Sequence, residues 1–306
     1  MVTVQVALAE MREKFRSAGL DTPELDARLL VQAALKMSHE ELFLNNNELI
    51  SDSKSKTLDK MTQRRLLREP VSRILGTRSF WKSEFKVSRE TLDPRADSET
   101  LIEAVLKYVS KEESLSILDL GTGTGCLLLS LLQELPQVTG TGIDISEDAV
   151  QTARQNAEAL GLSGRSKFMT IDWKKMAVDK PFDVVISNPP YIAEAEIPAL
   201  EPEVRQYDPL RALAGGVDGL DCYRDIAGLL PHLVAKGGYV FLEIGASQTA
   251  AVQGILAGQG ASVLNTCQDL AGHDRCVVAS IEPVVSVKEN ICPDERQGQK
   301  RTKFPQ

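Results

Sequence analysis

The pattern of apolar and polar positions changes character once along the chain. Val4, Ala7, Leu8, Met11 and Phe15 fall on one stripe at helical spacing and predict a helix over 4–17. Pro23 stands where a first helical turn tolerates proline, and Leu25, Leu29, Leu30, Ala33 and Ala34 continue a second helix. A third is predicted from Lys54 to Leu67, ahead of Glu69–Pro70. No strand-type alternation occurs before residue 70. Residues 78–92 then carry short β-type runs around Phe80, Trp81, Phe85 and Val87, which predict a connecting hairpin.

From about residue 97, strand-length apolar runs alternate with helical stripes. Strands are predicted at Ser116–Leu120, Val138–Ile145, Lys167–Ile171, Phe182–Ser187, Tyr239–Ile244, Ala261–Cys267 and Arg275–Ile281. Helices are predicted at Leu127–Leu135, Glu147–Leu160, Cys222–Val234 and Thr249–Ala257. This alternation predicts an α/β fold: a doubly wound, mostly parallel sheet with helices on both faces. Pro283–Gln306 is polar and without period, and reads as a disordered tail. The expected organisation is a helical region over 1–75, a hairpin connector over 76–96, the α/β domain over 97–282 and the tail over 283–306.

Composition narrows the class. With 42% hydrophobic and 25% charged residues the chain is globular in type, and no apolar run approaches the roughly 18 residues of a membrane span. The first fifteen residues carry Glu10 and Glu13 and lack an apolar core, so neither a signal nor a transit peptide is predicted. Five cysteines without a C-x-x-C pair predict neither a disulfide framework nor a zinc knuckle, and suit a reducing cytoplasm. His39, His232 and His273 show no metal spacing, so no metal is expected. The net charge is −8, which argues against a duplex-DNA partner. A local basic excess over 54–95, including Arg64, Arg65, Arg68 and Arg73, is either a solvated helix face or a docking surface.

Three strand ends carry candidate chemistry. Gly121, Thr122, Gly123, Thr124 and Gly125 follow the strand I-L-D-L directly. Glycines there permit a sharp turn and close approach of a ligand to backbone N–H groups. The dinucleotide fingerprint fails, because its third glycine would fall on Cys126. Asp144, about twenty positions on at the next strand end, has the spacing of a residue that accepts both ribose hydroxyls; the alternative is a cap for the following helix, a task Ser146 could also perform. At a third strand end, Asp172 could accept from an adenine amino group and Trp173 could cover the ring, or simply pack in the core.

The fourth strand end is the most specific. In Asn188–Pro189–Pro190–Tyr191 the two prolines stop the strand and hold the backbone rigid. The Asn188 side-chain oxygen and the Pro189 carbonyl can both accept from one planar –NH2 group, with Tyr191 over its π face. Such a site suits a planar nitrogen, either a carboxamide or an exocyclic base amine.

D-L-G-x-G-x-G resembles motif I of class I S-adenosylmethionine-dependent methyltransferases, and N-P-P-Y resembles the signature of those acting on amino groups. Glu69–Pro70 with Arg73–Gly76, the stretch Thr91–Glu99, and Glu203–Pro209 through Ala214–Arg224 narrow the resemblance to the PrmC/HemK family, the peptide-chain release factor N5-glutamine methyltransferases. The similarity spans about 1–282. It implies a seven-stranded Rossmann-like sheet, a small N-terminal helical domain that helps hold the release factor, and methyl transfer to the glutamine of a Gly-Gly-Gln tripeptide in class I release factors. S-adenosylmethionine would be the donor and S-adenosylhomocysteine the product. Gly121–Gly125, Asp144, Trp173 and Asn188 would line the cofactor, and Asn188–Tyr191 would grip the substrate. The rival functions are an adenine N6 DNA methyltransferase, which the acidic charge disfavours, a glutamine methyltransferase of another protein, and a non-catalytic adapter of the same fold, which the intact glycine loop disfavours. Residues 192–220 are expected either to close over the site as a lid or to form a passive loop.

Overall fold

The computed structural model describes residues 2–177 and 179–281; the segment read as a tail lies outside them. Five helices come first: α1 (Val4–Ser17), α2 (Pro23–Leu35), α3 (His39–Leu44), α4 (Asp52–Leu66) and α5 (Val71–Leu75). Thr3, Ser38 and Ser51 cap α1, α3 and α4 with their side-chain oxygens, satisfying amides that have no intrahelical partner. The apolar stripes close on one another in a core of their own that includes Phe15, Leu30, Val31 and Leu58.

A short antiparallel hairpin follows, β1 (Thr77–Phe80) with β2 (Ser83–Lys86). After α6 (Glu99–Tyr108) come β3 (Ser116–Leu120), α7 (Cys126–Glu134), β4 (Thr139–Asp144), α8 (Glu147–Ala159), β5 (Ser166–Thr170) and β6 (Phe182–Ser187). The short α9 (Pro202–Tyr207) precedes α10 (Asp221–Leu233), β7 (Val234–Glu243), α11 (Thr249–Gly258), β8 (Ala261–Gln268) and β9 (Asp274–Ile281). The sheet is seven-stranded in the order β5-β4-β3-β6-β7-β9-β8, and only β9 runs against its neighbours.

Successive residues of a strand face opposite sides of the sheet, and the burial obeys that period. Ile117 joins the core beneath α6, α7 and α8; Leu118 joins the core beneath α10 and α11. Both faces are covered, which is why the central strands read as nearly continuous apolar runs. The chain winds outward from β3 through β4 to β5, then crosses back to β6. The strand order therefore reverses between β3 and β6, and in open α/β sheets ligands bind at the carboxyl edge beside such a reversal. The glycine loop and the N-P-P-Y segment are the two connections leaving that point.

Candidate active site

The glycine loop is fastened to β4 from below. The carbonyl of Ile143 accepts from both Gly121 N and Thr122 N, at 2.9 and 2.8 Å. Gly121, Gly123 and Gly125 all take positive φ (74°, 54° and 78°), which side-chain-bearing residues rarely adopt. A Cβ on Gly123 would stand in open space, and one on Gly121 would come to 3.5 Å from the Trp173 ring. The loop therefore presents bare backbone to a cleft. Beneath it Asp119 is buried, accepts from the Thr122 hydroxyl at 2.6 Å and leaves Oδ1 without a partner. Burial pushes its carboxyl up to about 7, against the pull of the Thr122 hydrogen bond, and the nearby Asp144 charge adds to the rise.

Asp144 accepts from Gly123 N at 3.0 Å with Oδ2 and from Ser146 N at 2.9 Å with Oδ1. Ser146, not Asp144, caps α8. Each Asp144 oxygen keeps a second lone pair, so both can still accept from a vicinal diol. Its carboxyl is raised by burial, with the backbone N–H groups opposing. Asp172 accepts from Lys174 N at 3.0 Å and starts a short 3-10 turn over Trp173–Lys175. Trp173 lines the cleft and also packs against the core beneath α10, with its Nε1 buried and unpartnered.

Gly121, Thr122, Gly123, Thr124, Asp144, Asp172 and Trp173 line one cleft with about 970 Å³ of space, part of it continuous with solvent; Gly125 is not part of the lining. Asn188 and Pro190 stand on its wall; Pro189 is buried, and Tyr191 is not part of the lining. Burial pushes the Tyr191 phenol up to about 12, so it is a neutral group at physiological pH. Cys126 also lines the cleft as a neutral thiol, its pKa likewise pushed up to about 12 by burial. An orphaned indole N–H, glycine backbone facing open space and a carboxylate with free lone pairs suit an adenosine-bearing ligand with a polar tail.

A whole wall of the cleft lies outside the candidate site residues read from the sequence. Leu92, Pro94, Arg95 and Ser98, from the segment between the hairpin and α6, face the glycine loop, and Arg211 and Ala212 close one side. The signal for it is the Thr91–Glu99 stretch, whose proline and charges suit neither a strand nor a helix. Asn156 belongs to no motif either. Buried in α8, it donates to the carbonyls of Thr124 and Lys86, at 2.9 and 3.1 Å, and so ties the glycine loop to the hairpin.

Residues 192–220 act as a strap across the two halves of the molecule. Glu203 pairs with Arg65 and Arg68 at 3.0 and 2.9 Å, and the Tyr207 hydroxyl donates to the Leu67 carbonyl at 2.8 Å. Asp208 is buried and takes Arg73 on one oxygen and Arg95 on the other, each at 2.7 Å. Arg211 bonds Ser146 Oγ at 2.9 Å and pairs with Glu90. Much of the basic excess over 54–95 thus belongs to an internal ion-pair network rather than to a solvated face. Among the described residues no group of three or more His, Cys, Asp or Glu side chains could hold a metal ion, and no helix is long and apolar enough to cross a membrane.

The cleft and the helical region strapped to it have counterparts among known proteins. The chain matches a methyltransferase domain model over residues 111–240 and the PrmC N-terminal domain model over residues 6–76. A release factor glutamine methyltransferase of Rhodospirillum rubrum is 46% identical over 266 residues, 87% of this chain and 81% of that protein. One from Caulobacter vibrioides is 38% identical over 285 residues, 93% of this chain and 99% of that protein. Among solved structures, a release factor-specific protein-(glutamine-N5) methyltransferase from Alicyclobacillus acidocaldarius is 29% identical, with a TM-score of 0.39, over 62% of this chain and 94% of that one. Sequence identity of this extent, running through both the helical region and the sheet, makes the chain a member of the release factor glutamine methyltransferase family.

Proposed function

We propose that the protein transfers a methyl group from S-adenosylmethionine to the side-chain amide nitrogen of the glutamine in the Gly-Gly-Gln tripeptide of class I release factors. The observation that carries this is the position of Asn188 and Pro190 on the cleft wall, with Pro189 buried between them, across the strand reversal from the glycine loop. The donor, when bound, supplies an electrophilic methyl group on a sulfonium. The glycine loop, Asp144, Asp172 and Trp173 would hold it, with Asp144 on the ribose and Trp173 against the adenine.

A carboxamide nitrogen is a poor nucleophile because its lone pair is delocalised into the carbonyl. The work of the site is then orientation. The Asn188 side-chain oxygen and the Pro189 carbonyl accept from the amide –NH2, Pro190 keeps that backbone rigid, and Tyr191 supports the segment. Alignment at about 3–3.5 Å from the methyl carbon supplies much of the rate by proximity. The two acceptors offset positive charge developing on nitrogen. No side chain is needed as a base, since the proton leaves to water after transfer.

The helical region over 1–75 is proposed to help hold the release factor, and the strap fixes its angle to the cleft. A translation factor as substrate supports action in the cytoplasm, without nucleic acid as a direct partner. The test is methyl transfer to a release factor and to its Gln→Ala variant in the tripeptide. Labelling of the first and not the second is the expected result. Equal labelling of both would move the reaction to another residue, and transfer to adenine in DNA at low salt would replace the reading altogether.

A further inference from the structure

A carboxylate that the reaction as described does not use stands directly behind Asn188. Glu243 is the last residue of β7, and the pairing of Ser187 with Leu242 sets it beside Asn188. It is 2% exposed, and its Oε2 has no hydrogen-bond partner. Its carbonyl is fixed by the Tyr223 hydroxyl at 2.8 Å. An acidic side chain is costly to bury and so calls for a reason.

The reason lies in the neighbouring amide. Asn188 Nδ2 donates to Ser98 Oγ at 3.2 Å, and both side chains act on the buried Glu243 carboxyl as hydrogen-bond donors that oppose its rise. The two ends of an asparagine amide are almost the same size, so packing alone does not choose between them. Only the donor and acceptor pattern does. An ionised carboxylate accepts and never donates. The single Ser98 proton goes to it, Ser98 must then accept, and the Asn188 end it accepts from is the NH2. That leaves Oδ1 as the end available to the cleft.

We infer that Glu243 is a positioning residue for methyl transfer: acting with Ser98, it holds the Asn188 amide with its oxygen toward the substrate nitrogen. The inference rests on the proposed amide substrate. Gln248 does related work on the backbone of the same segment, donating to the Tyr191 carbonyl at 2.8 Å.

Protonation would undo the arrangement. Burial pushes the Glu243 carboxyl up to about 7, opposed by the Ser98 hydrogen bond and the Arg275 charge on β9. Asp97, Tyr191, Tyr223 on α10, Cys126 on α7 and Cys276 on β9 also face it. A neutral Glu243 can donate, which lets the chain of hydrogen bonds reverse and turns the Asn188 NH2 toward the substrate NH2. The rate should therefore fall as pH drops through about 7.

The experiment measures kcat at saturating S-adenosylmethionine, on a release factor, for the native protein, Glu243→Gln, Glu243→Leu, Asn188→Ala and the Glu243→Leu/Asn188→Ala pair. Glu243→Gln keeps the shape but can hold the chain in either direction; a loss of about 10-fold is expected, with the acid limb of the pH profile removed. Glu243→Leu should lose about 100-fold, with KM for the donor within about 3-fold, and should cost little more once Asn188 is already alanine. If Glu243→Leu fails to bind the donor in calorimetry, Glu243→Gln decides alone. Native kcat and an unchanged pH profile in Glu243→Gln overturn the inference. So does a Glu243→Leu loss that persists in full without Asn188. Absence of glutamine methylation by the native protein is a separate result: it removes the proposed reaction, and this inference with it.

Discussion

The two loops that face each other across the cleft are held by different means. The glycine loop is fastened largely by main chain. Ile143 accepts two of its N–H groups, and Asp144, the residue after Ile143, takes a third. The Asn188 loop is fastened by side chains from far away: Ser98, ninety positions earlier, Glu243 from the next strand, and Gln248, fifty-seven positions beyond Tyr191. Main-chain anchoring tolerates many side chains but no loss of backbone freedom. Side-chain anchoring sets one donor or acceptor in one direction and fails when a single group changes. A cofactor common to many reactions suits the first, and discrimination of one substrate nitrogen suits the second.

The sharpest way to break the first loop is Gly123→Val. A β-branched residue at φ 54° is strained, and its side chain would stand in the cleft. S-adenosylmethionine binding should become undetectable by calorimetry while the circular dichroism of the fold is kept; native affinity would remove the loop from the site.

Asn188→Ala comes next. Removing one preorganised acceptor should lower kcat by about 10²-fold, with a smaller change in donor affinity. A native single-turnover rate would sink the planar-nitrogen reading.

Asp144→Ala should weaken donor binding by about 1.5–3 kcal/mol, the worth of a hydrogen bond to a charged group. Since Asp144 also accepts from Gly123 and Ser146, a purely structural role would show instead as a lower melting temperature with affinity intact.

The smallest effect concerns Asp119. A carboxyl whose folded pKa is raised, here from 3.8 to about 7, stabilises the fold below its unfolded value, and that contribution is lost as pH rises through the folded one. The melting temperature should climb by a few degrees as pH is lowered from 8 to 5. Asp119→Asn should flatten its share of that slope, and an unchanged slope would show that Asp119 does not titrate in this range.

Much of this molecule is legible in its sequence. The strands are, because a sheet buried on both faces writes them as apolar runs. Helices α1, α2 and α4 are, through their stripes. The glycine loop and Asn188–Tyr191 are, because glycines and paired prolines have few other uses at strand ends. Four helices are not among those the stripes predict. Three of them, α3, α5 and α9, are only five or six residues long, too short to show a period, although α3 has a capping box from Ser38 to Glu41. The fourth, α6, carries the buried set Leu101, Ile102 and Val105. For residues 192–220 the sequence allows a lid or a passive loop, and their ion pairs to Arg65, Arg68 and Arg73 make them a strap.

What the sequence determined by itself is local. Backbone conformation, apolar period and the residue types at strand ends are written within a few positions of one another, so the fold class and two chemical loops follow from them. What only the tertiary structure decided is which distant polar groups meet. Asp208 between Arg73 and Arg95, Asn156 beneath the glycine loop, and Glu243 with Ser98 behind Asn188 each join segments tens of residues apart. The physical reason is that hydrogen bonds and ion pairs are directional and short-ranged. Their partners are chosen by the register of strands and the crossing of the chain, which no neighbouring residue records.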